Sequence, residues 1–196
     1  IIIFFIFFPL IFDESSLSLV AEMLIWALAA AALNVILGDC GLVSFGHAGF
    51  FAVGAYAFGL LSYYRLVPFG IAIVLAVLAV LIYAIITGWF VVRLIEIYFA
   101  LLCLAFSQVI WVIVSVWYSV TGGDDGLNGI PVIKSLYSIT NCYYFILAIV
   151  GICLFALYLI KESPFGRSLH ALRDNRMRAA FIGINTRQYI YIAFII

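Results

Sequence analysis

Side chains able to do chemistry gather in three places along this sequence. Residues 38 to 59, GDCGLVSFGHAGFFAVGAYAFG, set Asp39, Ser44 and His47 among Gly38, Gly41, Gly46 and Gly49. Residues 121 to 131, TGGDDGLNGIP, hold Asp124, Asp125 and Asn128 beside Gly122, Gly123 and Gly126. Residues 161 to 188 collect Lys161, Arg167, Arg173, Arg176, Arg178 and Arg187, six of the nine basic residues, against Glu162 and Asp174. None of the three spells an enzyme. There is no Ser/His/Asp, HExxH or paired-carboxylate arrangement, and no G-x-x-x-x-G-K-[ST] phosphate loop, so any ATP used must be hydrolysed by another chain. Asp124, Asp125 and Asn128 lack the spacing and closing Glu of a calcium loop. Dense glycine ending at Pro131 instead makes 121 to 131 a shaped turn. No cofactor or metal is called for.

The elements that must hold these groups lie in a membrane. Hydrophobic residues make up 68% and charged residues 9%, with a mean hydropathy of +1.32, far from the roughly 25% charged of soluble domains. Nine basic and nine acidic residues balance, which points away from nucleic acid. Crossing about 30 Å of hydrocarbon takes about 20 apolar residues as helix, because lipid offers no partner to a free backbone group. The stretches 17 to 37, 69 to 92, 97 to 119 and 142 to 160 meet that length or nearly so. The runs 1 to 12 and 189 to 196 read as partial spans, so both ends are expected to be cut inside membrane segments. The first run lacks the basic region and small-residue cleavage site of a signal peptide. DESS at 13 to 16, YYRLVP at 63 to 68, RLIE at 93 to 96 and the longer 120 to 141 join the spans. The expected fold is all-α, a polytopic transmembrane helix bundle with one broken or re-entrant segment, 41 to 62.

The basic stretch 161 to 188 is expected on the cytoplasmic side by the positive-inside rule. One crossing back, 120 to 141 then faces outward, while the side of the N-terminal end stays open. Cys40, Cys103, Cys142 and Cys153 are widely spaced without a C-x-x-C pair and read as inert.

In the first stretch, Ala48, Ala52, Ala55 and Gly59 share one helix face, where small side chains let a second helix approach. The glycine-rich part before them destabilises a continuous helix and places polar groups at membrane depth. Two readings of Ser44, Gly46, His47, Gly49 and Gly54 stand side by side: an unwound segment on a transport pathway, or tight packing with His47 bonded to a neighbour. In the third stretch, Ser163 and Pro164 read as N-cap and first residue of an amphipathic helix with Phe165, Leu169, Leu172 and Ala179 near one face and Gly183 at its end. Asn185 and Gln188 resemble a capping box for the next helix.

Three stretches together resemble the permease subunits of bacterial importers driven by ATP-binding cassettes, of the branched-chain amino acid type. They are LNVILGDCGLVSFGHAGFFAVGAY at 33 to 56, IYFALLCLAFSQVIW at 97 to 111 running into TGGDDGLNGIP, and SPFGRSLHALRDNRMRAAFIGIN at 163 to 185. Cys103 stands where the family more often has Thr, and Asp39-Cys40 where it usually has an aromatic or small pair. The resemblance implies one permease domain over 1 to 196, in the bacterial plasma (inner) membrane. It implies a second permease subunit, two ATP-hydrolysing subunits and an extracytoplasmic substrate-binding protein as partners, with the lipid bilayer around them. It places Arg173, Asp174, Asn175, Ala179, Ala180 and Gly183 in a loop that couples to the ATPase. The substrate expected is a branched-chain or related amino acid, with urea or short amides as alternatives. A secondary transporter or channel independent of ATPase subunits would also explain a broken helix.

Overall fold

The computed structural model describes the chain except residues 1 to 4, 6, 11, 95, 96, 132, 134 and 135. Parts of the partial span expected at 1 to 12, of RLIE and of the 120 to 141 joint therefore lie outside the described residues. The remainder is an all-α bundle. Its long helices are α1 (Glu14–Asn34), α2 (His47–Tyr63), α3 (Phe69–Val91), α4 (Ile97–Val116) and α5 (Ile139–Glu162), followed by α6 (Pro164–Asp174), α7 (Arg176–Phe181) and α8 (Thr186–Ile195). α1 with its extension, α3, α4 and α5 are each long and apolar enough to cross a membrane, and they are apolar on nearly every face, as helices in lipid are. Large side chains such as Val74, Val77, Ile82 and Trp89 of α3 point outward.

α1 packs along α5, while α2 packs along α3 and α4. The largest buried cluster joins the two groups at one end, through Val35, Ile36 and Leu42 after α1, Val91 of α3, Phe99 of α4, Leu169 and Leu172 of α6, Ala179 of α7, and Ile190 and Phe194 of α8. Lys161, Arg173, Arg176 and Arg178 lie at this end, hereafter the basic end. Arg93, at the turn after α3, stacks its guanidinium 3.6 Å from the Trp89 ring centre. A smaller cluster of Phe8, Leu17, Ala21 and Tyr143 closes the far end of the α1–α5 pair.

The broken segment is resolved into its parts. α1 does not stop at Asn34 but widens into a π turn, Val35–Asp39. The chain then runs without regular structure from 41 to 46 and starts α2 at His47. α2 does not turn back: its first residues lie against Cys103 and Ser107 of α4, and Gly59 near its other end meets Leu127 and Ile130 of the glycine loop. Segment 41 to 62 thus passes from the basic end to the opposite end.

The helix expected to run from Ser163 to Gly183 is two helices. The Asn175 backbone is extended (φ −161°), and its Oδ1 accepts the Arg178 N–H at 2.9 Å, so Asn175 caps α7 instead of continuing α6. The caps read from sequence are present: Ser163 Oγ accepts from Gly166 N at 3.4 Å, Pro164 opens α6, and Asn185 Oδ1 accepts from Gln188 N at 3.4 Å. Gly183, at φ +91°, ends α7 while Ile184 N donates to Ala179 O at 3.1 Å, the paired hydrogen-bond pattern that favours glycine after a helix.

Gly166 holds the corner between α5 and α6. A Cβ there would run into the backbone carbonyls of Ile160 and Lys161, and backbone cannot swing aside as a flexible side chain can. Gly166→Ala is expected to destabilise the protein by about 1–3 kcal/mol, the scale of forced overpacking. Gly151→Ala, where a Cβ meets nothing within 4 Å, should not lower the thermal unfolding temperature in detergent, because alanine is the better helix former.

Candidate functional site

α2 and α4 diverge beyond their contact at Gly46 and Gly49 and leave a cleft of about 430 Å³. Ala48, Gly49, Ala52 and Tyr56 form one wall, and Ser107, Gln108, Trp111, Val114 and Ser115 the other. Gly123 and Asp124 of the glycine loop line its far end. The site therefore combines apolar and small residues with an amide, three hydroxyls and a carboxylate. Such convergence of a few polar groups in an otherwise apolar hollow is what small-molecule sites show. Polar side chains at membrane depth are costly enough to imply use.

Glycine decides the width of the cleft. A Cβ on Gly46 would come within 2.6 Å of the Cys103 carbonyl oxygen, and one on Gly49 within 3.1 Å of Ser107 Cα. These two positions therefore let α2 touch the α4 backbone at one end. The expected face of Ala48, Ala52, Ala55 and Gly59 does not pack as a unit. Ala48 and Ala52 look into the cleft, Ala55 is exposed, and the closest helix approach falls to the glycines because they lack a Cβ.

The glycine loop has a built shape. Thr121, buried, donates through Oγ1 to Val114 O at 2.6 Å and Trp117 O at 2.8 Å, and accepts from Gly123 N at 3.3 Å. Gly122 (φ +76°) turns the chain so tightly that a Cβ would strike the Gly126 carbonyl. Tyr118 donates its hydroxyl to Asp125 at 2.9 Å, and Asn128 Nδ2 donates to Asp125 O at 3.2 Å. Asp125 is thus held within the loop, and exposed Asp124 lines the cleft.

Of the residues singled out in the sequence, Ala48, Gly49, Ala52, Gly123 and Asp124 meet in the cleft. Ser44 and His47 do not line it: His47 Nδ1 lies 3.1 Å from Ser44 Oγ, and its ring lies against Phe50 at 5.8 Å between centres. Gly54 looks the other way, toward Val80 of α3. At the basic end, Ala179 is buried in the cluster, whereas Asp174, Ala180 and Gly183 are exposed. Arg173 donates to the Gly38 carbonyl at 2.6 Å. Around this surface Met177, Phe181 and Ile182 are 72%, 85% and 75% exposed. Tyr56, Ser107, Gln108 and Ser115 also line the cleft but form no motif in the sequence. The available signal was the SQ pair at 107 and 108, a polar step in the middle of an apolar span.

A family model described as the permease component of the branched-chain amino acid transport system matches residues 15–196. The chain belongs to that permease family. It is 24% identical, over an alignment of 215 residues, to the high-affinity branched-chain amino acid transport system permease protein LivM of Escherichia coli, and 25% identical to the LivM protein of Salmonella typhimurium. In both cases 96% of this chain is covered and 51% of the relative, so the chain spans about half the length of these curated relatives. No solved structure matches it. Family and apolar helices together make it a multi-pass membrane protein.

Burial, with the Asp39 carboxylate beside it, pushes the Cys40 thiol up to about 12. The thiolate fraction at pH 8 is then on the order of 10⁻⁴, and the thiolate is the reactive form. Cys40 is expected to resist maleimide at pH 8 in the folded protein and to react only after denaturation, as mass spectrometry of labelled peptides would show.

Proposed function

We propose that this chain is the core of a permease subunit in an ATP-driven importer of branched-chain or related amino acids. The cleft between α2 and α4 is the part of the pathway that holds substrate. Its composition carries the reading: Ala48, Ala52, Trp111 and Val114 suit a branched aliphatic side chain, while Gln108, Ser107 and Asp124 offer partners to a carboxylate and an ammonium. The names of the related permeases support the same substrate class.

The exposed apolar group Met177, Phe181 and Ile182, flanked by Arg173 and Arg178, is the docking surface for an ATP-hydrolysing subunit. Exposed apolar side chains rimmed by charge mark protein partners more often than solvent. On this reading loop 161 to 188 is cytoplasmic, the glycine loop faces outward toward a substrate-binding protein, and the membrane is the bacterial inner membrane. A second permease subunit completes the pathway, and Ser44, Gly46 and His47 set the start of α2 at its inner edge. The subunit itself performs no chemistry. Its work is alternating access, in which ATP-driven closure on one side and the loaded binding protein on the other bias two conformations.

Two variants test the reading separately in proteoliposomes holding the full-length chain and its partner subunits. Gln108→Leu is expected to lower amino-acid uptake about tenfold or more while the complex still assembles, since an interaction lost at a binding site is worth about 1–3 kcal/mol. Phe181→Glu is expected to release the ATPase subunit on co-purification without unfolding the permease. Uptake that proceeds without ATP or any ATPase subunit would overturn the proposal in favour of a secondary transporter.

A further inference from the structure

Asp39 stands at the end of the π turn that closes α1, and its side chain is only 7% exposed. That is an unfavourable place for a carboxylate. The last turn of a helix carries partial negative charge from its unpaired carbonyls, and a buried carboxylate is costly without partners. The compensating groups come from elsewhere in the chain: the Lys161 ammonium, at the end of α5, lies 3.5 Å from Asp39 Oδ1, and the His170 ring, on α6, brings Nε2 to 3.5 Å from the same oxygen. One residue earlier, the Gly38 carbonyl accepts from Arg173 of α6 at 2.6 Å. At Gly41 (φ +69°) a Cβ would lie 2.9 Å from Arg173 Cγ, so the side chain of Arg173 lies along the backbone after the turn. Two elements, α5 and α6, thus meet on residues 38 to 41 at the end of α1.

The same short stretch leads directly to Ser44, Gly46 and the first turn of α2, one wall of the cleft. We infer that Asp39, gripped by Lys161 and His170, is a positioning residue that makes the chain leading into α2 move with α6. Displacement of α6 on ATPase closure then reaches the cleft through residues 39 to 46. This inference rests on the proposed function, because it needs an ATPase that moves α6.

Asp39→Asn removes the charge and keeps the shape, so it addresses the clasp without emptying the site. In proteoliposomes containing the assembled importer, two quantities are read: ATP hydrolysed and amino acid taken up. The expected result is an assembled complex whose ATPase rate stays near wild type while uptake per ATP falls about tenfold, within the range of energetic coupling between sites. If Asp39→Asn does not assemble, the double variant Lys161→Gln with His170→Asn, which leaves Asp39 in place, is read for the same ratio and must show the same fall. A ratio equal to wild type in whichever variant assembles would overturn the clasp, as would uptake and hydrolysis falling in proportion. Failure of the wild-type complex to show any ATP-driven uptake would instead overturn the proposed function itself.

Discussion

The arrangement of this molecule depends on how one helix ends. A helix leaves its last carbonyls unpaired, and an apolar surrounding offers them no water, so α1 cannot stop inside the bundle unless other groups answer them. The π turn supplies those groups one by one. Cys40 N donates to Val35 O at 3.2 Å, Leu42 N to Ile36 O at 3.0 Å, and Arg173 to Gly38 O. Gly41 takes the left-handed conformation that lets the chain reverse there. Because one of these donors belongs to α6, the end of α1 and the position of the amphipathic helix are fixed together.

From that point the rest follows by packing. The cluster around Leu169, Leu172 and Phe194 seats α6, α7 and α8 under the long helices. Gly46 and Gly49 let α2 press against the α4 backbone, which sets one end of the cleft. Thr121 and Gly122 shape the loop at the other end. The cleft is therefore bounded by close backbone approach below and by a hydrogen-bonded turn above, and Gln108 sits between these two constraints without forming either. This separation makes the site open to experiment, since Gln108 can be changed without disturbing what holds the helices apart.

The sequence carried much of the fold openly. The spans read at 69 to 92, 97 to 119 and 142 to 160 correspond to α3, α4 and α5 with small shifts at their ends, because twenty apolar residues in a row have few other uses. Ser163-Pro164 and Asn185 marked their helix starts through local hydrogen bonds that need no tertiary partner. The break at Asn175 was less legible. Arg173, Arg176, Met177 and Arg178 are good helix formers and mask the cap at Asn175, although its hydrogen bond to Arg178 N is as local as the one at Asn185.

What the sequence by itself determined was the class of molecule and its family: apolar run lengths, glycine-rich joints and charge placement are local properties that survive without coordinates. What only the tertiary structure decided was which polar residues share a space. Asp39 and Arg173 are separated by more than a hundred residues and carry no common pattern, yet both help to secure the end of α1 because α5 runs antiparallel beside it and brings Lys161 and α6 back to the same level. Ser44 and His47, prominent in the sequence, bond to each other at the start of α2, while inconspicuous Ser107 and Gln108 line the cleft. Composition shows that polar groups lie at membrane depth. Which way each one faces is set by helix rotation and contact, and those arise only when the whole bundle is packed.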